Sequence, residues 1–134
     1  MNPVIRNILA VFAGAVACVL LNSLLLGLLM GLMGTPSGFD PRDPSTYGLL
    51  QAKHYVAPFL AHALPSFIGG ALAAWLAASR RMAMALAVGA LHMIGGIAAA
   101  IMIPAPDLFI LADLSLAYLP MAWLGGKLVM RTVR

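Results

Sequence analysis

Glutamate is absent from this chain of 134 residues, and the only acids are Asp40, Asp43, Asp107 and Asp113. Charged residues make up 9% of the chain, against about 25% in an ordinary soluble domain. A well-solvated globular surface is therefore excluded. A single cysteine, Cys18, excludes an internal disulfide and any CxxC metal or redox motif. No P-loop, GxGxxG or HExxH pattern occurs, which removes the usual phosphate-cradle, dinucleotide and zinc-protease chemistries. Apolar and polar residues nowhere alternate over the length of a barrel strand, so a membrane β-barrel is excluded too.

What is present is apolar sequence in long unbroken runs: 63% of residues are hydrophobic and the mean hydropathy is +0.99. Crossing a hydrocarbon core takes about 20 mainly apolar residues. Ile8–Met33, Tyr55–Ala78, Met82–Ile103 and Leu108–Met130 each qualify. Helix is the expected state, because a backbone in lipid must satisfy its own hydrogen bonds. The prediction is an all-α integral membrane bundle of four transmembrane helices, one domain over residues 1–134. Arg6, Arg80, Arg81, Lys127, Arg131 and Arg134 fall on one side of it, with only Arg42 and Lys53 opposite. Positive residues mark the cytoplasmic side, so both termini are expected there. The net charge of +4 then reads as topology, and a nucleic-acid partner is not expected.

The first apolar run far exceeds the h-region of a signal peptide. Ala15–Cys18 resembles a lipoprotein cleavage box only faintly, and retention as a helix is the expectation. The polar loop 34–54, on the outer side, holds Pro36, Pro41 and Pro44. Asp43 followed by Pro44 makes a helix start, so a short interfacial helix is expected over Ser45–Lys53, with Tyr47 and Tyr55 at headgroup level. Ser79–Arg81 is too short to do anything but fold spans two and three into an antiparallel hairpin. Ile68–Ala74 ("IGGALAA") echoes Ile94–Ala100 ("IGGIAAA"), a weak sign of the internal repeats seen in transporters.

Residues three, four and seven apart share a helix face. His62 shares its face with Ser66, Gly69 and Gly70, and His92 shares its face with Gly95 and Gly96. Asn22 follows Gly14 and Cys18 at four-residue steps, and Gly27 and Gly31 repeat that step. Small residues allow membrane helices to approach closely. Gly14, Gly27, Gly31, Gly69, Gly70, Gly95 and Gly96 are thus expected at helix contacts, within the bundle or between subunits, with Gly125 and Gly126 packing near the inner surface. Asn22, His62, Ser66, His92 and Asp113 are expected to face inward at a shared level, since a carboxylate facing lipid costs at least about 2.5 kcal/mol. Pro58, Pro65 and Pro120 are expected to kink their helices.

Several chemistries remain open for this cluster. A hydrogen-bond network that fixes the register of the bundle is the plainest. Intramembrane His and Asp also recur in proton relays and transport pathways. Were a divalent metal bound, His62, His92 and Asp113 would be its ligands, and a bis-histidine haem could use His62 and His92. No cofactor is expected ahead of these alternatives. Ser66, His62 and Asp113 could imitate a hydrolytic triad, although nothing suggests an oxyanion hole.

The segments "TPSGFDPRDPSTYGLL", "AHALPSFIGGALAAWLA" and "DLSLAYLPMAWLGGKL" resemble those of small four-helix bacterial inner-membrane proteins with no assigned function. The resemblance implies a bacterial inner membrane and a four-span bundle, and brings no catalytic residue with it. The function expected from the sequence is that of a non-enzymatic membrane subunit, working through helix contacts in a homo-oligomer or beside a larger membrane-protein partner. A small transporter or proton-coupled permease is the alternative, and a haem- or metal-binding protein comes third.

Overall fold

The first helix starts on a cap. In the computed structural model, which describes residues 1–132, the Asn2 side chain accepts the Val4 N–H at 2.8 Å and Pro3 takes the first helical position. An asparagine cap followed by proline is a strong start signal, so α1 (Pro3–Met33) begins ahead of Ile8. It stops at Gly34, whose φ of 70° suits a residue without a Cβ. The loop that follows holds two short 3-10 turns, Pro44–Leu49 and Ala52–Tyr55, where one helix was expected over Ser45–Lys53. Asp43 caps the first turn by accepting from the Ser45 hydroxyl at 2.7 Å and the Ser45 N–H at 3.0 Å. These bonds hold the Asp43 carboxyl below the usual carboxylate range. The cap is thus intact at neutral pH and is lost as acid protonates it.

Next come α2 (Val56–Leu76) and α3 (Arg81–Met102). They are joined by a tight reversal in which Arg80 takes a left-handed conformation at φ 49°. The last apolar run is two helices, α4 (Asp107–Leu116) and α5 (Leu119–Thr132). Pro120 has no N–H for the Leu116 carbonyl and its ring crowds that carbonyl, so the helix breaks at Ala117–Tyr118. Pro58, by contrast, lies in the first turn of α2, where the amide has no helical acceptor to lose. Four helical stretches are long and apolar enough to cross a membrane: Pro3–Met33, Ala52–Leu76, Arg81–Met102 and Asp107–Thr132. Among the described residues there is no strand. Arg134, counted with the cytoplasmic charges above, lies outside the described residues.

Helix α2 is the centre of the bundle, with α1 on one side, α5 on the other and α3 against all three. Adjacent glycines make this possible, because neighbouring helix positions face about 100° apart. Gly69 packs on α1, where an added Cβ would lie 2.7 Å from the Gly14 carbonyl oxygen, and Gly70 packs on α5, 2.7 Å from the Ala122 carbonyl oxygen. Gly14, Gly89, Gly96, Gly125 and Gly126 close the remaining seams, Gly125 against the Phe67 carbonyl and Gly96 against the Tyr118 ring. The buried core is correspondingly small-residued: Ala10, Cys18, Ala73, Ala85, Val88 and Ala122. The large apolar side chains face outward, among them Leu20, Leu24, Leu28 and Leu32 on α1. Soluble proteins rarely expose apolar patches beyond a few hundred Å²; this distribution suits a lipid solvent.

On α1 the seam is confined to the first half of the helix. Arg6 donates from Nε to the Leu76 carbonyl at 2.8 Å, and Asn7 accepts the Ala78 N–H at 2.9 Å, so the start of α1 is tied to the α2–α3 turn. In α1 the buried residues are Ala10, Gly14 and Cys18, and beyond Cys18 none is buried. Gly27, Gly31 and Gly95, expected at helix contacts, have nothing within 4 Å of where a Cβ would be. Gly27 and Gly95 instead border a space lined by the second half of α1, the loop 34–55 and α4.

Candidate functional site

That space is a cavity of about 910 Å³. The second half of α1, the loop turns, the start of α2, the end of α3 and α4 wall it, and its lining is predominantly apolar. No lysine or arginine lines it. Ligand cavities run from about 300 to 1,000 Å³, so it has room for a drug-sized molecule. His62, His92 and Asp113 are among its polar lining residues, beside Asn22, Thr35, Tyr47 and His54.

Helix periodicity places His62 and Ser66 one turn apart on α2, facing α3 and α4. The His62 Nδ1 lies 2.9 Å from Asp113 Oδ1 and 3.0 Å from Oδ2. Asp113 Oδ2 also accepts the Tyr118 hydroxyl at 2.8 Å. Tyr118 is fully buried. Its ring stacks on His62 at 5.3 Å between centroids and meets the edge of His92 at 5.2 Å. Ser66 joins the histidines: its Oγ donates to the His62 carbonyl at 2.7 Å and lies 2.9 Å from His92 Nδ1. A hydroxyl has one hydrogen. With that hydrogen committed to the carbonyl, the Ser66 oxygen must accept from His92, which puts the His92 proton on Nδ1.

Four of the residues singled out in the sequence thus share one connected network, and Asn22 stands apart from it. Pro65 has no N–H, so the Ala61 carbonyl one turn earlier loses its regular helical partner. Asn22 Nδ2 donates to that carbonyl at 2.8 Å, and the Cys18 thiol donates to the Pro65 carbonyl at 3.0 Å. Asn22 repairs the proline break from a neighbouring helix. Asn22→Leu is expected to leave Ala61 unsatisfied and to cost about 1–3 kcal/mol, read as a lower unfolding midpoint in dodecyl maltoside. An unchanged midpoint would show that water already serves that carbonyl.

Tyr118 was not anticipated. At i+5 from Asp113 it would lie on another face of an unbroken helix. The break ahead of Pro120 turns it onto the carboxylate, so the proline was its one local signal. The hydrolytic triad does not form: Ser66 meets the His92 ring and not the His62 ring, and its hydrogen goes to a backbone carbonyl. Among the described residues no three His, Cys, Asp or Glu side chains lie close enough to hold one metal ion. Both Nδ1 atoms of the proposed ligands His62 and His92 are already engaged. Their Nε2 atoms make no hydrogen bond among the described residues and are not sealed from solvent, and both residues line the cavity. His54, nearly buried on the loop side, lines the same cavity and accepts the Gln51 N–H at Nδ1, 2.9 Å away.

Comparison of the chain with protein-family models, with curated proteins and with solved structures finds no match.

Proposed function

We propose that this is a multi-pass protein of a bacterial inner membrane, both termini cytoplasmic, that takes a small lipophilic molecule into an intramembrane cavity as a carrier of the transporter class. The single observation behind this reading is the cavity: apolar walls ending on a carboxylate–imidazole pair. A pair of this kind can hold or release a proton beside a bound molecule, which is the chemistry of a proton-coupled permease. The distribution of Lys and Arg supports the orientation, and with it the cavity lies in the outer half of the bilayer. The resemblance to small bacterial inner-membrane proteins supports the same placement. The glycine seams close the opposite half, so the chain has a one-sided pocket and not a pore. The pocket is not fully enclosed, so a molecule dissolved in the bilayer can enter it.

The subunit reading has one observation in its favour: Gly31 and the outward leucines of α1 contact no other helix, leaving that face free for lipid or for a second protein. The two readings are compatible. Gly95 separates cavity from packing, because it lines the pocket and an added Cβ there meets nothing within 4 Å. Gly95→Leu is expected to keep the unfolding free energy within about 0.5 kcal/mol and to project a side chain into the pocket. Native mass spectrometry from lipid nanodiscs drawn directly from cells should then show a small-molecule adduct on the wild type and none on the variant. Persistence of the adduct in Gly95→Leu, or its absence from the wild type, would count against the carrier reading.

A further inference from the structure

We infer that the molecule held in this cavity carries a hydroxyl group, as a lipophilic alcohol or phenol does, and seats that hydroxyl between His62 and His92. The inference rests on the carrier reading above and adds the chemical class of the occupant.

Ser66 spends its hydrogen on the His62 carbonyl, so His92 carries its own on Nδ1 and turns a bare Nε2 lone pair to the cavity. His62 presents the opposite. No lysine or arginine lines the cavity to balance a negative charge, and an unbalanced charge in hydrocarbon is expensive. The His62–Asp113 pair is therefore neutral overall. It is neutral as carboxylate and imidazolium, or as carboxylic acid and imidazole. In both forms His62 Nε2 bears a hydrogen, because Nδ1 and the carboxyl share the other one. The polar floor of the cavity thus offers one donor beside one acceptor.

A hydroxyl is the smallest group that answers both, accepting from His62 and donating to His92. An ether or ketone answers only His62 and leaves the His92 lone pair dry. The ring centroids are 6.0 Å apart and perpendicular, so the two imidazoles are close neighbours in the cavity lining. Tyr118 makes this geometry rigid. It touches both rings, and its own hydroxyl is consumed by Asp113, so it does not compete for the occupant. The rest of the lining is predominantly apolar.

The test uses the full chain in phosphatidylethanolamine–phosphatidylglycerol nanodiscs with two probes of nearly equal size, 4-octylphenol and 4-octylanisole, which differ in whether the oxygen carries a hydrogen. Retention is measured by equilibrium dialysis against protein-free nanodiscs, which removes simple partitioning. The phenol is expected to bind at least about ten-fold more tightly than the anisole, a factor typical of one buried hydrogen bond. His92→Phe, which leaves the Ser66 hydrogen bond to His62 intact, should reduce that ratio to near one. Independently of any variant, nitrogen-15 resonances of the wild type should show His92 as the Nδ1–H tautomer. Equal retention of both probes, or an Nε2–H tautomer at His92, overturns the hydroxyl inference and leaves the carrier reading standing. Retention of neither probe above empty nanodiscs overturns both.

Discussion

Asp113→Leu is expected to be the most damaging single substitution at the site, lowering the unfolding free energy by about 3–5 kcal/mol. The Asp113 carboxyl oxygens hold two hydrogen bonds, one accepted from the Tyr118 hydroxyl and one shared with His62 Nδ1. Leucine keeps the volume and removes both acceptors at once. Tyr118 has no exposed surface through which water could replace the bond. Asp113→Asn should cost far less, because an amide oxygen can still accept from Tyr118. The triple variant His62→Phe/Asp113→Leu/Tyr118→Phe should regain most of the loss, since exchanging a whole buried polar group for apolar residues of similar shape is often neutral. The measurement is denaturation in mixed micelles followed by helical circular dichroism. If Asp113→Leu unfolds at the wild-type midpoint, the network contributes nothing to folding; if the triple variant is no better than the single one, shape and not polarity governs the site.

The ordering of these effects follows from what the chain could and could not spell out in advance. Long apolar runs announce helices because nothing else satisfies a backbone in lipid, and the four helical stretches correspond to the four runs. The true start of α1 was also written locally, in Asn2 and Pro3, but hydropathy outweighs a cap in a greasy segment. Faces were legible wherever the helix is regular, as with His62 and Ser66. They ceased to be legible at Pro120, where the break rotates Tyr118 onto Asp113. Partners between helices were harder still. That Pro65 strands the Ala61 carbonyl can be reasoned from sequence; that Asn22 lies opposite depends on how α1 registers against α2. The same limit applies to the glycines. Gly27, Gly31 and Gly95 share the small-residue pattern of Gly14, Gly69 and Gly70, yet only the latter lie where helices cross. Spacing describes a face and does not say what, if anything, stands across from it.

Gly70→Ala isolates that distinction in a single methyl group. At this position the new Cβ would sit 2.7 Å from the Ala122 carbonyl oxygen and 2.8 Å from the Ala122 Cα. Both are backbone atoms of α5, so no side chain can swing aside and the whole helix must move off α2. Overpacking of this kind typically costs about 1–3 kcal/mol. Alanine's better helix propensity returns about 1 kcal/mol at most, so the expected outcome is net destabilisation. Gly95→Ala keeps the propensity gain without the clash and should be neutral or stabilising by a few tenths to about 1 kcal/mol. Opposite signs for the same chemical change are the prediction. Because α5 follows directly on Tyr118, its displacement should also loosen Tyr118 from Asp113, and the discrimination between 4-octylphenol and 4-octylanisole should weaken in Gly70→Ala while surviving in Gly95→Ala. If Gly70→Ala proves as stable as the wild type, α2 and α5 do not meet at that glycine, and the closed half of the bundle that turns the cavity into a one-sided pocket is not built as described.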